Sequence, residues 1–126
     1  QFIDLGSGDG RIVFRAAKER MFHKSIGVEI NPLLHMAALA QKVARGPQFW
    51  SSTSFHLQDI WITSLHSTHV VAVYGLAPIM DKLGTKLKEE LKPGSIVLSN
   101  VFAIPGWKHS NNDSGIFLYR TPECWE

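Results

Sequence analysis

The chemistry-bearing residues of this 126-residue chain gather near its start, where Asp4 precedes Gly6-Ser7-Gly8-Asp9-Gly10. Three glycines at alternate positions admit positive φ and let backbone N–H groups approach a ligand with no Cβ in the way. A dinucleotide-binding turn reads G-x-G-x-x-G and seats a pyrophosphate on a helix N-terminus. Here the third glycine comes one position early and acids stand at Asp4 and Asp9, so a pyrophosphate would meet like charge. A ligand with a sulfonium and an α-ammonium group suits such a site, and S-adenosylmethionine is that ligand. A further carboxylate, Glu29, stands 21 residues after Gly8, the distance at which a second strand presents an acid to ribose hydroxyls. A fourth acid, Asp59, precedes Ile60-Trp61.

These groups need elements to position them. The apolar run Phe2-Ile3 and Leu5 reads as a buried strand, and Arg11 to Arg20 as a helix with Ile12, Val13, Ala16 and Ala17 on its packing face. Ser25 to Ile30 reads as a second strand. Asn31 as N-cap and Pro32 at the first helical position open a helix whose body is Leu33 to Ala44, stopped by Gly46-Pro47. Ser54 to Gln58 is a third short strand closed by Asp59, and His69 to Tyr74 a near-continuous apolar one. After a turn at Gly75 to Pro78, Leu83, Leu87 and Leu91 mark a core-facing helix that ends at Lys92-Pro93-Gly94. Ser95 to Phe102 is a fifth strand, 109–114 is polar and turn-rich, and Gly115 to Arg120 is a last strand. The alternation predicts an α/β fold, a doubly wound Rossmann-like sheet, mostly parallel with an antiparallel last strand. Its crossovers would bring Gly6–Gly10, Glu29, Asp59 and Tyr74 to one edge.

Composition narrows the function. The length predicts one domain over residues 1–126, and the apolar share of 44% is that of a globular protein, with no run long enough to cross a membrane. A net charge of +2 gives no case for nucleic acid. The single cysteine, Cys124, excludes an internal disulfide framework. His66 and His69 lack the cysteines or acids that would complete a metal site, so no metal is expected. With no initiator Met and a strand from residue 2, we expect a fragment whose N-terminal segment lies upstream.

Asp4-Leu5-Gly6-Ser7-Gly8-Asp9-Gly10 resembles the first motif of class I S-adenosylmethionine-dependent methyltransferases. Joined in order with Gly27-Val28-Glu29-Ile30-Asn31-Pro32, Asp59-Ile60-Trp61, Leu91-Lys92-Pro93-Gly94 and Phe102-Ala103-Ile104-Pro105-Gly106-Trp107, it resembles a narrower family. That family is the mitochondrial protein-lysine methyltransferases acting on the ATP synthase c-subunit and the adenine nucleotide translocase. The resemblance implies methyl transfer from S-adenosylmethionine to a lysine of a protein substrate. It implies a cofactor site of Asp4, Gly6, Ser7, Gly8, Gly10, Glu29, Asn31, Asp59, Ile60 and Trp61. Within it, Asp4 meets the ammonium, Glu29 the ribose diol, and Asp59 the adenine amino group with Ile60 and Trp61 beside the ring. Asp59 could instead be a cap at a strand end. A lysine must shed a proton before it attacks, and Tyr74, Asn100, Phe102, Pro105 and Trp107 stand where an apolar channel could favour that; Phe102 and Trp107 could equally be packing under a loop. No residue identifies itself as the general base. The resemblance also implies a mitochondrial location and membrane association through an upstream segment. Leu33, Val101 and Ala103 depart from the family's Trp, Arg and Pro, on the substrate side.

Three rivals differ in what they require. A class I methyltransferase for a small molecule or RNA shares the whole cofactor half. A non-catalytic methyltransferase-like binding module would show substitutions at Asp4, the glycines or Glu29, and has none. A nicotinamide-dependent oxidoreductase is opposed by the turn's spacing and its acids.

Overall fold

The computed structural model describes residues 1–19, 22–74, 77–100, 102–113 and 115–125. They form two compact units, Gln1–Thr63 and Ser64–Glu126.

The first unit holds β1 (Phe2–Leu5), α1 (Arg11–Lys18), β2 (Ser25–Glu29), α2 (Pro32–Arg45) and β3 (Thr53–Leu57). Its strands lie in the order β3-β2-β1, every pair parallel. All four β1 residues are buried, which is why this strand reads as a continuous apolar run broken only by Asp4. Pairing sets Asp4 opposite Gly27 and Leu5 opposite Val28. Asn31 caps α2 as its spacing predicts: its side-chain oxygen accepts from the Leu33 and Leu34 N–H groups at 2.9 and 3.4 Å. Pro32 is the first helical residue and Gly46, at φ 102°, ends the helix.

The packing face of α1 differs from the expected one. Val13, Phe14 and Ala17 are buried, whereas Ile12 is 49% exposed and Ala16 half-buried. Phe14 takes the central place because the helix leaves Gly10 in a left-handed turn. Its ring meets Phe49 edge-on at 5.8 Å and Phe55 at 5.2 Å. The Arg45 guanidinium lies 4.6 Å from the ring centroid. The observed helix ends at Lys18; Arg20, in the expected span, lies outside the described residues.

The second unit holds β4 (Val70–Val73), α3 (Met80–Glu90), β5 (Ile96–Asn100), β6 (Asn111–Asp113) and β7 (Ile116–Arg120). β4 pairs with β5 in parallel, β5 with β7 antiparallel, and β7 with β6 antiparallel. The parallel pairs with helical crossovers, and the antiparallel end, are the expected α/β pattern. Leu83 and Leu87 are fully buried and Leu91 nearly so, as their four-residue spacing requires. Two details differ. The polar stretch expected as a turn contains β6, which pairs along β7 without an apolar face of its own. β5 stops at Asn100, leaving Phe102 in the loop beyond; Val101 and the Gly75-Leu76 part of the expected turn lie outside the described residues.

The α1 face gives a direct test. Phe14→Ala should lower unfolding stability by about 3–5 kcal/mol, the usual cost of emptying a buried aromatic site, while Ile12→Ala should cost under about 1 kcal/mol. Urea denaturation of both variants checks this, and equal losses would contradict the observed face.

Candidate cofactor site

At the carboxyl end of β1 the chain makes the glycine turn. Gly6, Gly8 and Gly10 all adopt positive φ, at 85°, 59° and 91°. Their reasons differ. A Cβ on Gly10 would come within 2.8 Å of the Phe55 ring and 3.0 Å of the Phe14 ring, so the turn rests on the aromatic cluster beneath it. A Cβ on Gly8 would meet nothing within 4 Å; Gly8 is required for backbone conformation, and the space above it is open.

Backbone bonds bind the turn to β2. The Gly6 and Ser7 N–H groups both donate to the Val28 carbonyl, at 2.8 and 3.0 Å, and the Gly10 N–H donates to the Ser7 carbonyl at 3.0 Å. Glu29, the last residue of β2, adds a side-chain link. One carboxylate oxygen accepts from the Gly8 N–H at 2.8 Å. The other accepts from the Ile30 and Asn31 N–H groups at 3.1 and 3.0 Å. The acid expected to meet a ribose therefore also fastens the glycine turn to the start of α2.

Gly27 enters the sequence reading only as part of the Gly27–Pro32 motif, with no role of its own. A Cβ there would lie 2.8 Å from the Ser7 hydroxyl oxygen and 2.8 Å from the Phe55 ring, so Ser7 can fold down against β2 only over a glycine. The signal was present, since a glycine inside an apolar strand marks a close approach.

Asp4 is the electrostatic centre of the site. It is 4% exposed, and burial, with the Glu29 carboxylate as a second cause, pushes its pKa up to about 7. The Asp9 carboxylate pairs with the largely exposed Arg11 side chain at 3.0 Å, an ion pair that solvent screens. Asp59 stands just past β3 and caps the 3₁₀ turn Ile60–Ile62, accepting from the Trp61 N–H at 3.0 Å. The cap is real and engages one oxygen. Ile60 and Trp61 are half-buried beside it. All these groups stand at the carboxyl ends of parallel strands, the ligand edge of an open α/β sheet. A separate groove of about 620 Å³, lined by residues that include Lys18, Phe22, Arg45 and Phe49, shares no lining residue with the glycine turn.

The remaining candidates fall in the second unit. Tyr74 follows β4 and is 60% exposed, Asn100 ends β5 half-buried, and Phe102 and Pro105 are exposed in the loop after it. Trp107 turns inward: its ring meets Tyr119 and Trp125 edge-on at 5.5 and 5.4 Å, and its Nε1 lies 3.4 Å from where a Cβ on Gly84 would stand. Among the described residues no group of three or more His, Cys, Asp or Glu could hold a metal ion. No helix among them is long and apolar enough to cross a membrane.

A Rossmann-like α/β fold with a three-glycine turn and strand-end acids defines a class I methyltransferase fold, and comparison with known proteins agrees. An RNA methyltransferase from Salinibacter ruber, solved in complex with S-adenosyl-L-homocysteine, superposes with TM-score 0.86 at 31% identity, over 97% of this chain and 80% of that one. A model of the ANTKMT methyltransferase domain matches residues 4–111, and the chain belongs to that family. The adenine nucleotide translocase lysine N-methyltransferase of Mus musculus is 37% identical over 86% of this chain and 46% of its own length. The ATP synthase c-subunit lysine N-methyltransferase of Xenopus laevis is 34% identical over 83% and 45%. A protein-lysine N-methyltransferase of Saccharolobus islandicus (strain REY15A) is 38% identical over 92% and 76%. The chain spans about half the length of the animal relatives it matches.

The raised Asp4 pKa sets a pH dependence. The folded carboxyl keeps its proton up to about pH 7 and the unfolded one only to about 3.8. Between these values the folded state binds more protons, so stability falls as pH rises through that window. From pH 5 to pH 8 the loss should be roughly 2–3 kcal/mol, and Asp4→Asn should remove that part of the slope. Thermal melts of both proteins across pH 4–9 measure the difference.

Proposed function

We propose that this chain is the S-adenosylmethionine-binding domain, over residues 1–126, of a protein-lysine N-methyltransferase. The observation that carries the reading is the buried Asp4 carboxyl beside three positive-φ glycines, supported by the naming of several relatives as lysine N-methyltransferases. The residues present fit the group. A desolvated acid near Glu29 gains most from a cation, which an α-ammonium supplies, and the open space over Gly8 admits the methionine portion. In this reading Gly6, Ser7, Gly8 and Gly10 surround that portion and Asp4 holds the ammonium. Glu29, beside Asn31, accepts from ribose hydroxyls. Asp59 accepts from the adenine amino group through the oxygen its cap leaves available, with Ile60 and Trp61 against the ring.

When bound, the cofactor would supply an electrophilic methyl group on a sulfonium for transfer to the lysine nitrogen. The protein's own task is to align a neutral amine and exclude water. Tyr74, Asn100, Phe102 and Pro105 are the residues we place around the entering lysine, with Trp107 packed inward behind them, and no general base is assigned. The substrates in view are of the kind for which the animal relatives are named, the ATP synthase c-subunit and the adenine nucleotide translocase, with the mitochondrial location those targets bring. A second reading, methylation of RNA, is favoured by the Salinibacter ruber neighbour and disfavoured by a net charge of only +2.

Calorimetric titration with S-adenosylmethionine and S-adenosylhomocysteine is the primary test. We expect saturable binding, weakened at least about tenfold by Glu29→Ala, since three amides and the ligand lose one acceptor. S-adenosylmethionine affinity should rise between pH 6 and pH 8 as Asp4 gives up its proton. Absence of binding by folded protein would defeat the reading. Radiolabelled methyl transfer offered to the c-subunit, the translocase and bulk RNA then separates lysine methylation, RNA methylation and a non-catalytic binding module.

A further inference from the structure

The loop after β5 is tied down at five points. The Ser99 hydroxyl on β5 donates to the Phe102 carbonyl. The Ile104 N–H donates to the Tyr119 hydroxyl at 2.9 Å, with Tyr119 fully buried on β7 and Ile104 2% exposed. Trp107 stands edge-on to Tyr119, and the loop approaches α3 over Gly84, where a Cβ would lie 2.8 Å from the Ile104 Cγ2. The Lys108 N–H donates to the Cys124 carbonyl at 2.9 Å. Yet the same loop keeps Phe102 and Pro105 at the surface.

Loops normally carry more mobility than the elements they join. This one has Ile104 and Trp107 fixed inward, while Phe102 before Ile104 and Pro105 between the two stay at the surface. Tyr119 is the hub: one buried side chain supplies both the acceptor for Ile104 and a face for Trp107. Nothing else among the described contacts satisfies the Ile104 N–H, and an unsatisfied buried N–H is costly enough to shift a loop.

We propose that Tyr119 is a positioning residue for substrate recognition, its buried hydroxyl holding the 102–107 loop so that Phe102 and Pro105 form a preformed apolar contact for the polypeptide around the target lysine. This rests on the reading above, in which that loop meets a protein substrate. A preformed contact removes the ordering cost that a mobile loop would add to each binding event, so loss of the clamp weakens substrate binding while the bound complex still reacts.

The test compares Tyr119→Phe, Ser99→Ala and Phe102→Ala with Leu87→Val, a buried truncation on α3 at a residue that takes part in none of these loop contacts. Each is assayed for S-adenosylmethionine binding, melting temperature, and KM and kcat for methylation of whichever of the ATP synthase c-subunit and the adenine nucleotide translocase the wild-type protein modifies. Tyr119→Phe should raise KM for the protein substrate about tenfold with kcat changed less than twofold and cofactor affinity unchanged, while Leu87→Val lowers the melting temperature without moving KM. Ser99→Ala should raise KM in the same direction, and carries the test if Tyr119→Phe does not fold. A Tyr119→Phe KM within twofold of wild type, or shifted no more than by Leu87→Val, overturns the proposal if Phe102→Ala itself raises KM. If Phe102→Ala leaves KM unchanged, the loop is not a substrate surface, and the underlying reading fails together with the positioning role.

Discussion

The Glu29 carboxylate is the tie on which the candidate site depends. It accepts three backbone N–H groups, from Gly8 in the glycine turn and from Ile30 and Asn31 at the entry to α2. These amides belong to two separate chain reversals, and the carboxylate that joins them sits at the end of the strand between. Hydrogen bonds to an ionised acceptor are stronger than neutral ones, and these satisfy donors that would otherwise point into the cleft. The geometry of the turn is therefore set from β2 as much as from β1. Gly27 completes the arrangement by letting Ser7 settle against the same strand.

This economy has an electrostatic consequence. Glu29 is held near Asp4, and Asp4 is buried, so one carboxyl keeps its proton to about pH 7. A fold that keeps a buried acid close to a second carboxylate carries an unfavourable interaction that a cation can relieve. On the proposed reading, the acids and amides that meet the cofactor are fixed before it arrives.

Much of this architecture is legible in residue types with strong local meaning. Asn31-Pro32 announces a helix start, Gly46 its stop, and Leu83, Leu87 and Leu91 a packing stripe, and each appears where its chemistry requires. The misreadings share a cause, which is that partners distant in sequence decide them. Ile12 and Phe14 are both apolar residues of α1, and only the aromatic cluster of Phe49 and Phe55 chooses Phe14 for the core. β6 has no apolar alternation because an edge strand is held by backbone pairing to β7, and periodicity is blind to that. The inward turn of Trp107 depends on Gly84 and Tyr119, 23 residues before it and 12 after.

The cofactor half and the substrate half consequently differ in how far sequence can speak. Recognition of a nucleoside cation is encoded in backbone conformation and in acids at fixed strand ends, features that glycine spacing writes directly into the chain. On the proposed reading, recognition of a substrate is a matter of which loop side chains are left outside once others have been pulled in. Phe102 and Trp107 look alike in sequence, both aromatic and both after β5, and they meet opposite fates because Tyr119 and Gly84 claim one of them. A fold can keep the first kind of site while altering the second with a few substitutions at the anchoring positions. That freedom is consistent with a family whose members are named for different protein targets while sharing one fold.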